Sequence, residues 1–438
     1  MERHRVLVIA EAANPEWASV PLEGWSHSRA LAEVADVHLV TQVRNRASVL
    51  RAGLVEHRDF TAIDSEAIAR PLSQVSSLLR GGAGKGWTTI TALEGLSYYY
   101  FEHLVWRQFS DRIVMGKFDI VHRLTPLSPT IPSILAAKCK RVGVPFVLGP
   151  LNGGVAWPPG FRRRRWQERE WLSYLRGAYK LMPHYHSTRE NASAIIIGSM
   201  DTWKQIPECY RHKCVYIPEN GLCLDRFNVQ RSRQPSRPLR AIFVGRLTPY
   251  KGADMAIESA APLIRERVLV LEIVGDGPQM GDLRRLAARE GIEEGVSFSG
   301  WVNHSDVQRK LVESDVFVFP SIREFGGAVV LEAMAMGVVP IVVKYGGPGE
   351  LATPATGFLV EPGPRDRIIR QFGSVLRAIA SDPEQIKEKG AQAQRLVHER
   401  FTWQAKARQV QAVYRWVLRQ QAERPNFGMP LAETPESV

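Results

Sequence analysis

Cysteine is scarce in this chain of 438 residues, with only Cys139, Cys209, Cys214 and Cys223. Four are too few for the disulfide frameworks that staple secreted domains. Four and eight residues separate the last three, a spacing that fits no zinc pattern, so no metal site is expected. Long apolar runs are also missing. No window approaches the roughly 18 apolar residues that a membrane-spanning helix needs. The first apolar run, Val6 to Ala10, is too short for the core of a signal peptide, and polar residues follow at once. The chain is therefore expected in the cytoplasm, or at the inner face of a membrane. Hydrophobic residues at 45% and charged residues at 23% exclude a disordered chain, a coiled coil and a collagen-like fibre.

What is present is an excess of positive charge. The formal net charge is +12. Residues 1–200 hold 25 basic and 17 acidic residues, and residues 201–438 hold 32 and 28. Such a balance suits phosphorylated ligands, anionic lipid or nucleic acid without choosing among them. At about 150 residues per domain, the length suggests two or three domains.

The pattern along the chain is an alternation of strands and helices. Arg5-Val6-Leu7-Val8-Ile9-Ala10 reads as a first strand, followed by a loop over 11–25 that contains Pro15, Pro21 and Gly24. Ser26 stands where an N-cap belongs, before a helical run from His27, and a second strand covers 37–40. Strand, loop, helix and strand make a βαβ unit. Further strands are expected at 118–122, 145–149, 194–199 and 213–218. A polar, proline-bearing stretch over 230–238 reads as a linker. The alternation then restarts, with strands at 240–245, 268–275, 296–300, 316–320 and 339–343. Helices are expected at 253–264, 280–290 and 329–336. This argues a second parallel sheet with helices on both faces. Residues 403–419 form one amphipathic helix, and the aperiodic stretch after it is expected to be disordered.

The chemistry concentrates in the second half. Ser321-Ile322-Arg323-Glu324-Phe325-Gly326-Gly327 joins the strand at 316–320 to a helix that contains Glu332. Gly326 and Gly327 leave backbone N–H groups at a helix start, where orphan donors and the helix dipole favour an anion. Glu324 and Glu332 flank that start. At about 1.5 Å rise per helical residue they lie up to about 12 Å apart, too far for a carboxylate dyad that shares a proton. Gly245-Arg246-Leu247-Thr248-Pro249-Tyr250-Lys251-Gly252 follows another strand. Ligands of open α/β sheets bind outside the carboxyl ends of strands, and Arg246 and Lys251 there can neutralise a diphosphate. Gly275-Asp276-Gly277-Pro278 and Gly346-Gly347-Pro348-Gly349-Glu350 are further glycine-rich strand ends.

In this order these motifs, with Ser314-Asp315-Val316-Phe317-Val318-Phe319-Pro320-Ser321 and Gly357-Phe358-Leu359-Val360, resemble glycosyltransferase family 4 (glycosyl transferases group 1), the retaining enzymes of GT-B fold. The resemblance covers residues 240–401 well. It implies an α/β protein of two Rossmann-like parallel-sheet domains facing each other across a cleft. Residues 1–220 would form the acceptor side and 221–402 the nucleotide-sugar donor domain. The helix at 403–421 would cross back onto the first domain, and 422–438 would be a disordered tail. Arg246 and Lys251 would hold the donor diphosphate and Glu332 the ribose hydroxyls. Glu324 would face the transferred sugar. Gly245, Gly275 and the backbone of Phe325, Gly326 and Gly327 would complete the donor site.

The first half matches more loosely. Gly24 falls where the family keeps a glycine near the donor phosphates. Asp119-Ile120-Val121-His122-Arg123-Leu124 looks like the family's histidine-bearing strand end, so His122 is an acceptor-side catalytic candidate. Leu124 stands where many members carry a second histidine, which leaves the acceptor group open. Arg80-Gly81-Gly82-Ala83-Gly84-Lys85-Gly86 lacks the Walker glycine and the following Ser or Thr, so it reads as a plain loop. The Arg162–Arg165 run among aromatics makes 160–180 a candidate contact with an anionic membrane or a lipid-linked acceptor. No recognition motif supports a nucleic-acid partner.

The reading is a retaining hexosyltransferase-type enzyme. It would move a sugar from a nucleoside-diphosphate sugar, its co-substrate, to a sugar or lipid-linked acceptor, with no separate cofactor and in polysaccharide or glycolipid biosynthesis. The rivals are an epimerase or hydrolase of the same fold, a non-catalytic nucleotide-sugar-binding protein and a basic nucleic-acid binder.

Overall fold

The computed structural model describes residues 3–67, 87–153, 155, 161, 178–223 and 237–429. The described chain falls into two compact units. The first takes the N-terminal residues to 153, then 178–221 and Trp403–Met429. The second takes Leu222–Thr402, with Val155 and Phe161.

The first unit is built on an all-parallel sheet of seven strands in the order β3-β2-β1-β4-β5-β6-β7. These are β1 (Arg5–Ala10), β2 (Asp36–Gln42), β3 (Phe60–Ile63), β4 (Ile120–Thr125), β5 (Phe146–Leu151), β6 (Ala194–Ile197) and β7 (Cys214–Tyr216). A parallel sheet must be covered on both faces, and the side-chain period of two divides its residues accordingly. Val6, Val8 and Ala10 face one core with Leu31, Val410 and Tyr414. Leu7 and Ile9 face the other with Phe101, Val105 and Phe109 of the helix Trp87–Val114.

The second unit carries six parallel strands in the order β10-β9-β8-β11-β12-β13. They are β8 (Leu239–Val244), β9 (Leu269–Val274), β10 (Val296–Gly300), β11 (Val316–Phe319), β12 (Val339–Val343) and β13 (Phe358–Val360). Every residue of β11 and β12 is buried, as central strands covered on both faces require. Each unit is thus a Rossmann-like parallel sheet with interspersed helices.

The C-terminal helix Trp403–Val417 belongs to the first unit, where it packs on the helix Val20–Val34. Trp403 lies flat against Gly221, where an added Cβ would come within 2.7 Å of the indole. Lys406 of this helix is fully buried and donates to the Pro218 carbonyl at 2.7 Å. Burial holds its ammonium down to about 7, against the opposing pull of Glu219 and Glu23.

Two expectations change, and a third lies largely outside the described residues. The first helix starts at Val20 rather than after Ser26. Pro21 is therefore a first-turn residue and Gly24 follows that turn inside the helix, and neither is loop punctuation. Proline is tolerated there because its missing N–H would have no helical partner. Gly24 is needed because a Cβ would overlap the Ala12 carbonyl oxygen, so the glycine lets the helix lie on the loop after β1. The tail is not wholly without order. Arg424 donates to the carbonyls of Arg211 and His212 at 3.2 Å, and Phe427 packs on the core shared with Tyr414. Of the stretch 160–180, Phe161 is buried, Tyr179 donates to Gln205 at 3.2 Å, and 162–177 lie outside the described residues. The loop at 80–86 also lies outside them, as does most of the expected linker. No helix among the described residues is long and apolar enough to cross a membrane.

Candidate active site

The glycine-rich motifs of the second unit converge at the carboxyl ends of β9, β8, β11 and β12, which are neighbours in that order. The β8 and β9 ends touch first. Gly245 and Gly275 have φ of +158° and +134°, and a Cβ on Gly275 would overlap the Gly245 carbonyl oxygen. Only glycine allows so close a crossing with that backbone. Leu247 N–H donates to Asp276 O at 2.9 Å, which fixes the β8 loop on the β9 loop.

The same loop then runs to β11. Ile322 N–H donates to Tyr250 O at 3.0 Å. Gly252, at φ +79°, would place a Cβ only 2.5 Å from Pro320 O. This docking puts Lys251 beside Glu324. The Lys251 ammonium donates to Glu324 Oε2, and the two side chains are 17% and 19% exposed. Lys251 Nζ also lies 5.4 Å from the centre of the Phe319 ring. An ion pair this sheltered is screened less than a surface pair.

The β12 end closes the group. Gly347 N–H donates to the Glu324 carbonyl at 3.1 Å, and a Cβ on Gly347 would overlap Phe325 O. Gly327, at φ +71° against Pro348, caps the helix Ala328–Ala335. The first N–H groups of that helix emerge beside Phe325, Gly326 and Gly327, where an anion is favoured. Glu332 is half-buried on the same helix. Arg246 is exposed at the β8 end. The structure thus gathers Gly245, Arg246, Lys251, Gly275, Glu324, Phe325, Gly326, Gly327 and Glu332 along one edge of one sheet.

His122 and Gly24 are placed differently, in the first unit. His122 is fully buried on β4. Its Nε2–H donates to the Gly149 carbonyl at 2.7 Å, so its Nδ1 accepts from the Tyr414 hydroxyl at 2.6 Å. Burial lowers its pKa to about 4. Both ring nitrogens are engaged in the described structure, where this histidine ties β4 to β5 and to the C-terminal helix. Gly24 serves helix packing, as described above.

Two side chains at the site escaped the sequence reading. Thr248 Oγ1 and Gln279 Oε1 are buried without a hydrogen-bond partner among the described residues. Buried polar atoms are nearly always paired, so these mark a place for a water or a ligand. Their position beside Leu247 and Gly277 was the available signal.

Two parallel-sheet units with a basic, glycine-lined strand edge define the class: a glycosyltransferase of GT-B type. Residues 225–393 match the family described as Glycosyl transferases group 1. The GDP-mannose-dependent monoacylated alpha-(1-6)-phosphatidylinositol monomannoside mannosyltransferase of Corynebacterium glutamicum is 33% identical over 296 residues, which cover 62% of this chain and 70% of that one. Other curated relatives share less, and the chain spans about half the length of several of them. Among solved structures, a glycosyltransferase from Rickettsia africae ESF-5 superposes with a TM-score of 0.62 at 16% identity, covering 96% of this chain and 100% of that one. Anabaena Alr3699/HepE, solved in complex with UDP and glucose, has a TM-score of 0.56 at 17% identity, covering 94% and 99%. The structural likenesses show the fold. The chain belongs to the glycosyl transferases group 1.

Proposed function

We propose that the protein is a retaining enzyme of the hexosyltransferase type. Its donor is a nucleoside-diphosphate sugar, its acceptor a sugar or lipid-linked hydroxyl, and its setting polysaccharide or glycolipid assembly at the inner face of a membrane. The observation that carries this reading is the Lys251–Glu324 pair at the head of the helix Ala328–Ala335. It sets a cation, a carboxylate and helix N–H donors within one strand edge. Lys251, Arg246 and the helix start would take the charge of the departing diphosphate. That stabilisation grows as the bond to the sugar breaks, which is when it accelerates the reaction. Glu324 would orient the reacting sugar, and Glu332 would hold the ribose hydroxyls. With no nucleophile assigned, the acceptor attacks from the face the diphosphate leaves, and the departing phosphate oxygen takes the acceptor proton. The configuration at the sugar carbon is then kept. The relative from Corynebacterium acts on a phosphatidylinositol mannoside with GDP-mannose, which supports a lipid-linked acceptor and a diphosphate donor.

The test is a panel of UDP- and GDP-sugars incubated with membrane lipid extract, following nucleoside diphosphate release and the product by NMR. One donor should be consumed and its product should keep the α configuration. An inverted product refutes the retaining step, and no consumption of any diphosphate donor refutes the donor reading.

A further inference from the structure

The loop after β4 carries Pro126, Pro129 and Pro132, which lack the N–H that a helix or a ladder needs. Its carbonyls have no regular partner, and a buried carbonyl must find one. Two arginines supply it. Arg123 of β4 is fully buried and donates to Ile131 O at 2.8 Å and to Pro126 O at 3.3 Å. Arg189, on the helix Tyr185–Asn191 and 2% exposed, donates to Pro129 O at 2.6 Å and to Tyr185 O at 2.9 Å. A guanidinium carries five donors in a rigid fork, so one side chain can hold two carbonyls. The loop's far end is held as firmly. Glu102, also fully buried, accepts from Ser133 Oγ at 2.5 Å and from Ile134 N–H at 2.6 Å. Ser133 N–H donates to Thr188 Oγ1 at 2.8 Å.

The arrangement is costly. Glu102 acts on Arg123, but Arg189 forms no ion pair among the described residues, and burial lowers its pKa. Apolar packing is often at least as stable as buried charge. What these charges secure is the shape of one loop. It leaves the carboxyl end of β4, the end at which open α/β sheets bind ligands. Leu127, Ser128 and Thr130 stay half-buried on it, and the two hydroxyls pair at 2.7 Å. Leu127 O accepts from Asn152 N–H at 2.8 Å, which joins the loop to the end of β5.

We propose that Arg123 and Arg189 are positioning residues for the acceptor: by gripping the carbonyls of 126–131 they hold that loop in the one form that aligns the acceptor hydroxyl. Neither guanidinium touches the acceptor. Both act through the backbone of the loop, and a shift of about 1 Å in an aligning element can cost about 100-fold in rate. The inference rests on the glycosyl-transfer reading, with the first unit as the acceptor side.

The experiment compares wild type, Arg189→Lys and Pro129→Gly. Lysine keeps the charge but loses the fork. Pro129→Gly loosens the loop backbone and leaves both guanidiniums in place, so it decides the matter if Arg189→Lys does not fold. Two quantities are read for each protein. One is transfer from the UDP- or GDP-sugar that wild type consumes, followed against rising amounts of membrane lipid extract. The other is calorimetric binding of UDP and GDP. Both variants should show kcat/KM for the extract lowered about 10- to 100-fold, with KM raised, and nucleoside diphosphate binding within two-fold of wild type. A merely structural role would instead remove folded protein, lowering kcat at an unchanged KM, and that result overturns the proposal. Near-normal transfer by folded variants overturns it too, as does an equal loss of nucleoside diphosphate binding. Failure of wild type to consume any donor overturns the glycosyl-transfer reading and this inference with it.

Discussion

Replacing Lys251 by Met removes the cation from a pair whose side chains are each about four-fifths buried. Two effects follow, and they separate. For stability, exposed pairs contribute about 0–1 kcal/mol, whereas breaking a fully buried pair costs about 3–5 kcal/mol. A pair exposed to this degree falls between, so Lys251→Met should cost about 2 kcal/mol, chiefly through the Glu324 carboxylate left uncompensated. Adding Glu324→Gln removes that carboxylate. The double variant should then recover to within about 1 kcal/mol of wild type, a coupling that additivity forbids. For activity, a charge-assisted bond to the leaving diphosphate is worth about 1.5–3 kcal/mol, or roughly 10- to 100-fold in kcat/KM. The double variant should stay as inactive as the single one, or more so. Urea unfolding followed by circular dichroism, beside donor turnover, reads both. Additive stability losses would refute the ion pair as the source of the cost. Near-normal turnover of Lys251→Met would refute the diphosphate role.

Two further predictions concern the first unit. Lys406 loses its proton near pH 7 when folded and near 10.5 when unfolded. Between those values the unfolded chain binds the extra proton, so stability should rise with pH at up to about 1.4 kcal/mol per unit. Glu219, Glu23 and His27 are the charged or titratable groups coupled to it, and Lys406→Met should flatten the slope between pH 7.5 and 9.5. An unchanged slope in denaturant titrations would contradict the assignment. His122→Gln should cost about 1–3 kcal/mol by breaking the bonds to Tyr414 and Gly149, yet leave turnover within a few-fold of wild type. A large loss of turnover in a stable variant would return this histidine to the catalytic machinery.

Most of the second unit can be read from its sequence because its strands and glycines obey local rules. The run Val316-Phe317-Val318-Phe319 is apolar throughout, as a strand covered on both faces must be. The helix at 280–290 has the bounds that its apolar spacing predicts. The Arg246/Lys251 and Glu324/Glu332 motifs were legible as donor-site candidates because glycine, cation and carboxylate follow strand ends. What the sequence does not display is which strand ends become neighbours. The Lys251–Glu324 pair joins residues 73 apart, through the docking of Tyr250 on Ile322. The first unit was less legible for a different reason. Its β3, Phe60–Ile63, has four residues and too little pattern to stand out. The Pro21 and Gly24 signals have two meanings, loop turn or start of a helix, and for Gly24 the Ala12 carbonyl is a tertiary reason that the sequence does not display. His122 carries the residue type of a catalytic group, but its partner Tyr414 lies 292 residues away, so its role is set by tertiary contact.

The most direct test of the account is a crystal structure of the protein with the nucleoside diphosphate that binds it. The account predicts diphosphate oxygens about 3 Å from Lys251 Nζ and from the backbone N–H groups at the start of the helix Ala328–Ala335. A diphosphate bound away from that strand edge, with Lys251 and Glu324 still paired and untouched, would contradict it.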